Sequence, residues 1–470
     1  MSARRHALAT ALLGLALGGC ATFSPDGGFG HVQKAVGERL DPAVELAWAR
    51  RPEDLDRIER RVTELLARPL DMDAAVQLAL LNNRGLQAAL ADLGITEAEV
   101  VQAGRLPNPG FRFGRMTRGD EIELERGLHL NLARLLALPR VQRLEARRLA
   151  QVQATVAMQV LTLAADTRKA WVQAVAAEES VRYSRQVMQA AEASAELARR
   201  MAQVGNFNRL QQAREQGFYA DAALNLARAE QQQRATRERL TRLLGLWGEQ
   251  TAFRLPERLP DLPARPRELP DIERLAIAQR LDVAAARAAA ESTAANLGLT
   301  RATRFVNVLE LGYARNRSNE APPQTGWEIA LELPLFDWGD ARVARAEGLY
   351  MQALHRAAET AINARSEVRE AYGAYRSAWD IARHHRDEIV PLKARIAEEN
   401  LLRYNGMLIG VFELLADARS QIAGVQGAID ALRDFWLAQA DLDMALVGKP
   451  SLSAATGPAL PSAEAGAPGH

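Results

Sequence analysis

The sequence predicts a mostly α-helical chain with a small β contribution, built as two tandem repeats, each a β-hairpin plus long coiled helical hairpins. Three observations predict it. The two halves align at a nearly constant offset, which marks an internal duplication. Two pairs of stretches of about ten residues alternate apolar and polar positions, the period of a strand. Two runs of roughly 65 residues hold almost no helix breaker, enough for rods of about 100 Å at the rise of an α-helix.

The chain opens with Arg4 and Arg5, then an apolar run from Ala7 to Gly19 that ends at Cys20, the single cysteine of 470 residues. A lone cysteine excludes an internal disulfide. The run is too short to span a bilayer as a helix and has the size of a signal-peptide core. Leu17, Gly18, Gly19 and Cys20 resemble a bacterial lipobox. That resemblance implies a signal peptide over 1–19, acylation of Cys20 and a lipidated segment over 20–69. Ala21, rather than Asp, after the cysteine implies sorting to the outer membrane. An ordinary signal peptide is the alternative.

The first repeat covers 70–252 and the second 271–448. "LALLNNRGLQAALAD" from Leu78 corresponds to "LAIAQRLDVAAARAA" from Leu275, an offset of 197 residues. Further on, "AQVGNFNRLQQAREQ" from Ala202 meets "LRYNGMLIGVFELLADARSQ" from Leu402 and aligns Gly205 with Gly406. The linker, 253–270, carries five prolines that break any helix. The last stretch, 449–470, is rich in Pro, Ala, Gly and Ser and reads as a disordered tail.

Strands are expected at about 110–132 and 305–336. In "EIELERGLHLNL", Ile122, Leu124, Leu128, Leu130 and Leu132 share one face, and Glu121, Glu123, Glu125, His129 and Asn131 share the other. In "GWEIALELPLF", Trp327, Ile329, Leu331 and Leu333 oppose Glu328, Ala330 and Glu332. Helical hairpins follow at about 139–247 and 340–447, with Pro391 placed to kink the second.

Composition narrows the function classes. Lys plus Arg number 59 against 58 Asp plus Glu, so no global field draws in nucleic acid. No second run is apolar enough for a membrane helix, so any crossing must use strands. No P-loop, H-E-x-x-H, G-x-S-x-G or G-x-G-x-x-G is present, and the chain reads as a non-enzyme without cofactor, catalytic residue or metal site. His384 and His385 are adjacent and point about 100° apart on a helix, which prevents joint chelation. Trp327, Phe336 and Trp338 suit an interfacial belt, with core packing below the membrane as the alternative for Trp338.

Four strands cannot close a membrane barrel, and open edges are not tolerated in lipid. Pooling strands from three chains gives twelve, with the Glu-rich face on water and the Leu-rich face on lipid. The chain resembles the TolC-like outer membrane efflux family on Cys20, the duplication, the hairpins, "LPLFDWGDARVARAE" (Leu333 to Glu347) and "RYNGMLIGVFELLADAR" (Arg403 to Arg419). The resemblance implies a homotrimer whose twelve-stranded barrel in the outer membrane continues as a periplasmic helical tunnel. Its implied partners are a periplasmic adaptor, an inner-membrane efflux pump and outer membrane lipid. The role it implies is the exit duct of a tripartite system for heavy metal, copper above all, or drug efflux. By the same resemblance Val204, Gly205, Asn206, Phe207, Tyr404, Asn405, Gly406, Met407 and Gly410 form adaptor-docking tips, where glycine permits left-handed geometry. Glu413 and Asp417, four apart on one helix face, are the implied pore constriction, with a solvated helix face as the alternative. The competing reading is a periplasmic structural or adaptor lipoprotein that forms no channel.

Overall fold

The computed structural model describes residues 22–40, 44–303, 309–331 and 335–450. Cys20, the signal peptide and the segment from 451 onward lie outside the described residues, as do 305–308 and 332–334 of two expected strands. The described elements run α1 (Phe29–Gly37), α2 (Pro52–Leu66), α3 (Met72–Asn82), α4 (Arg84–Ala103), β1 (Gly110–Arg118), β2 (Glu121–Asn131), α5 (Leu132–Gln203) and α6 (Arg209–Leu244). Then come α7 (Ile272–Gln279), α8 (Leu281–Thr303), β3 (Leu309–Ser318), β4 (Gln324–Leu331), α9 (Asp340–His384), α10 (Val390–Asn405) and α11 (Val411–Val447). They divide into two compact units, one from 1–38, 88–158 and 281–363, the other from 39–87, 159–280 and 364–470.

The first unit holds a four-stranded antiparallel sheet in the order β1-β2-β3-β4. Both expected hairpins form, and β2 also pairs with β3 from Glu123↔Ser318 to Asn131↔Glu310. The tight β1–β2 turn relies on Gly119 at φ 61°. Strand β2 ends one residue earlier than its alternation suggests. The Asn131 side chain accepts from the Arg134 N–H at 2.7 Å, an N-cap that starts α5 at Leu132. The helix therefore begins seven residues before Pro139, the expected start, and Pro139 lies within it.

The second unit carries the apolar core. Trp171 of α5 is buried among Leu70, Leu78, Leu240 and Leu244, and its indole donates to the Leu70 carbonyl at 2.7 Å. A second cluster gathers Tyr375, Trp379 and Phe435 around Ile272 and Leu262. The proline-rich linker is a packed strap on this core. Proline supplies no ladder N–H, so the strap's carbonyls take side-chain donors instead: Trp379 to Pro263 at 3.0 Å and Trp436 to Pro260 at 3.0 Å.

The two segments that align at an offset of 197 residues do matching work. Asn82 donates to the Leu244 and Gly245 carbonyls and Asn83 to Leu243, satisfying the last carbonyls of α6. In the second half Arg280, 1% exposed, donates to the Ala445 carbonyl near the end of α11 and pairs with Glu367 at 2.7 Å. Between α9 and α10 the residues His385–Ile389 form a π turn. Pro391 removes one N–H and crowds the carbonyl four residues back, and the wider turn accommodates it.

Candidate functional site

Alternation and register sort every strand residue onto one of two faces. One face of the first unit's sheet carries Glu121, Glu123, Glu125, His129, Glu310 and Glu328, relieved by Gly114, Gly127, Gly312 and Gly326. Cross-strand bonds tie it together: Ser318 Oγ donates to Glu121 at 3.1 Å and Asn316 to Glu123 at 3.4 Å. The His129 ring opposite lies where a Cβ at Gly110 would stand, so a larger residue there would displace the ring.

The other face is apolar in rows. Leu309 pairs with Leu331, Leu130 with Leu311 and Ile329, and Phe111 with Leu128, Tyr313 and Trp327. Among the described residues Phe111, Leu128, Trp327, Ile329 and Leu331 are exposed, Trp327 by 73%, while Leu130, Leu309 and Leu311 are half-buried. Trp327 leans on Tyr313 with ring centroids 5.1 Å apart. Phe336 and Trp338, just beyond β4, are exposed too. Among the described residues no helix is long and apolar enough to cross a membrane.

In the second unit, α5 and α6 meet at a turn where Gly205 takes φ 82°, and the Asn206 N–H reaches back to the Met201 carbonyl. Asn208 then caps α6 reciprocally with Gln211. The α10–α11 turn corrects the expectation for Gly406. Gly406 has φ −80°, and Met407 adopts the left-handed conformation at φ 58°. The reason lies in the hydrogen bonds. Met407 N–H goes to Tyr404 O and Leu408 N–H to Arg403 O, as Gly205 goes to Ala202 and Asn206 to Met201. Met407, not Gly406, thus occupies the place of Gly205. Both turns bare apolar side chains, with Val204 71% and Met407 93% exposed.

Glu413, in the first turn of α11, is exposed. Asp417, one turn on, is half-buried and accepts from the Asn400 amide of α10. His384 pairs with Glu388 at 3.1 Å, whereas His385 packs against Gly427, so the two rings part as their adjacency requires. Near the first turn, hydrogen bonds from Arg199 and Arg200 pull the Glu196 carboxyl down to about 2.

One cluster near these turns escaped the sequence reading. Glu215 of α6 is fully buried. It accepts from Arg419 of α11 at 2.6 Å and from Ser194 of α5 at 2.6 Å. The Arg419 guanidinium also lies 4.4 Å from the Phe218 ring centroid. Glu215 sits in a helix dense in charge, so neither its type nor its spacing distinguishes it from a solvated residue.

No family model matches the chain. The cobalt-zinc-cadmium resistance protein CzcC of Cupriavidus metallidurans is 27% identical over 281 residues, which cover 58% of this chain and 64% of CzcC. The chain thus spans less than two thirds of that relative. Among solved structures, CusC, a protein that forms a transmembrane channel, is similar at a TM-score of 0.65 and 17% identity, over 83% of this chain and 92% of its own. The Campylobacter jejuni outer membrane channel CmeC is similar at a TM-score of 0.69 and 15% identity, covering 87% and 90%. The resemblance to TolC-like channels therefore holds for the fold: this chain has the architecture of outer membrane channel proteins.

Proposed function

We propose that the chain is the outer membrane exit duct of a tripartite efflux system, acting as a homotrimer. One observation carries the reading. The sheet exposes a face of aromatic and aliphatic rows, and among the described residues its edge strands β1 and β4 each have one side unpaired. An apolar, edge-open sheet is unstable in water and in lipid alike unless the edges meet others. Joining β1 of one copy to β4 of the next cures both defects, and three copies give a twelve-stranded barrel with a Glu-lined lumen. The likeness to CusC and CmeC supports it. The repeats over 70–252 and 271–448, joined by the strap, supply the long helices of a periplasmic tunnel. Acylated Cys20 anchors the amino terminus in the outer membrane.

Val204, Gly205, Asn206, Phe207, Tyr404, Asn405, Gly406, Met407 and Gly410 dock the periplasmic adaptor, which connects to the inner-membrane pump. Glu413 with Asp417 forms a cation-attracting ring when copies converge. The resemblance to CzcC favours divalent metal ions as cargo. The duct itself performs no chemistry.

The protein extracted from outer membranes in mild detergent should run as a trimer and conduct in planar bilayers. Replacing Glu413 and Asp417 together by Ala should lower its cation selectivity. A non-conducting monomer would return the chain to the class of periplasmic structural lipoproteins.

The tips allow a sharper test. Met407→Gly keeps the left-handed turn, removes its steric cost of about 1–2 kcal/mol and deletes the most exposed side chain of that turn. The variant should be at least as stable as the parent and should crosslink to the adaptor several-fold less. Undiminished crosslinking would remove Met407 from the docking surface.

A further inference from the structure

The apolar face of the sheet is interrupted by four arginines and by Thr117 and Thr325. Arg126 of β2 stands directly opposite Arg315 of β3, in the row beyond Phe111, Leu128, Tyr313 and Trp327. In the next row toward the hairpin turns, Arg115 and Arg317 flank Leu124. All four arginines are exposed. Every acidic residue of the strands (Glu121, Glu123, Glu125, Glu310 and Glu328) is on the opposite face by register. Among the described residues none of the four arginines has an ion-pair partner.

Like charges directly opposite each other in adjacent strands repel. With strands about 4.8 Å apart and rows about 6.8 Å apart, the four arginine positions fall within roughly 12 Å of one another. Such a group is stabilised by an anion that bridges the guanidiniums. Guanidinium groups pair bidentately with phosphate oxygens. Immediately below lie the aromatic and aliphatic rows, a surface suited to acyl chains. A free phosphate would use the arginines but leave those rows uncovered; a phosphorylated lipid uses both.

We propose that Arg115, Arg126, Arg315 and Arg317 form a binding site for the phosphate-bearing headgroup of an outer membrane lipid whose acyl chains lie on Phe111, Leu128, Tyr313 and Trp327. The inference rests on the reading of the sheet as a membrane strand set. It adds a ligand and a level: the four arginines mark the headgroup plane on the side of the hairpin turns. Snorkelling of the long side chains toward that plane fits their position just beyond the apolar rows.

The test uses the full-length protein purified in mild detergent and titrated with lipid A, phosphatidylglycerol, phosphatidylcholine or inorganic phosphate. Retained lipid is counted by native mass spectrometry. Lipid A should be retained by the parent and bound at least ten-fold more weakly by Arg126→Gln with Arg315→Gln, with a similar loss for Arg115→Gln with Arg317→Gln. Lysine at the same pairs should recover part of the binding. Phosphate alone, at matched concentration, should neither be retained nor displace lipid A.

A parallel measurement in brominated phosphatidylcholine vesicles asks whether the sheet is in the bilayer at all. Quenching that disappears in Trp327→Phe places the sheet in lipid whatever the arginines do. If Trp327 is quenched and the glutamine variants retain lipid A as the parent does, the arginine site is overturned and the membrane reading survives. If Trp327 is not quenched in any vesicle, both are overturned.

Discussion

Lys169→Ala should be the most damaging single substitution in the helical unit, costing about 3–5 kcal/mol, because it takes a close counter-charge from a buried carboxylate. Lys169 of α5 and Asp441 of α11 meet at 2.9 Å, with side chains only 5% and 7% exposed. Asp166, one turn before Lys169 on α5, lies 3.8 Å away and is better solvated. Two charges removed from water stabilise only as a pair, since their mutual attraction offsets a desolvation cost of several kcal/mol for each. Removing one partner keeps most of that cost and forfeits the attraction. Lys169→Met combined with Asp441→Leu should therefore be much milder than either single change, and near the parent in stability. Urea unfolding followed by far-UV ellipticity in detergent reads both. A double variant as unstable as Lys169→Ala would mean that packing volume, not charge, sets the stability there. Because the pair joins α5 to α11, the loss should appear as earlier melting of both.

The sheet and the helical rods were legible because period 2 and the absence of breakers are local properties. What local pattern leaves open is which strands meet. The β2–β3 pairing joins segments nearly 180 residues apart, and nothing within either strand names its partner. The arginine rows show a related limit. Arg126 sits where the alternation calls for an apolar residue, and only the register that sets it opposite Arg315 turns an irregularity into a cluster. At the second tip, glycine content pointed to Gly406 as the left-handed residue. The choice is made instead by which N–H closes onto Arg403 and Tyr404, and that selects Met407 in spite of its side chain. The prolines correctly excluded helix from the linker, but their carbonyls' capture by Trp379 and Trp436 depends on a distant helix pair. Asn208 and Gln211, by contrast, formed the capping box that their spacing allows.

Glu215→Ala should loosen the helices behind the tips, at a cost of about 3 kcal/mol, with the effect concentrated where α5, α6 and α11 converge. Glu215 is the single acceptor serving both Ser194 and Arg419, and each of its oxygens takes one of them at 2.6 Å. Without it, the Arg419 guanidinium keeps its place over Phe218 but loses its counter-charge, and the Ser194 hydroxyl loses its acceptor. Among the described residues Arg419 Nε already has no partner, so the guanidinium has little reserve with which to compensate. Glu215→Gln separates charge from shape. Its amide oxygen can still accept one hydrogen bond, but the charge that strengthens the bond to Arg419 is gone, so an intermediate loss is expected. Hydrogen exchange should quicken around Ser194, Phe218 and Arg419 in the order parent, Gln, Ala, while the sheet is unaffected. If the duct reading holds, these variants should also raise the frequency of conductance transitions, because the cluster fixes helices next to the turns that would meet the adaptor. Faster exchange spread evenly over the whole helical unit would instead make Glu215 a general stability residue, with no special hold on the tips.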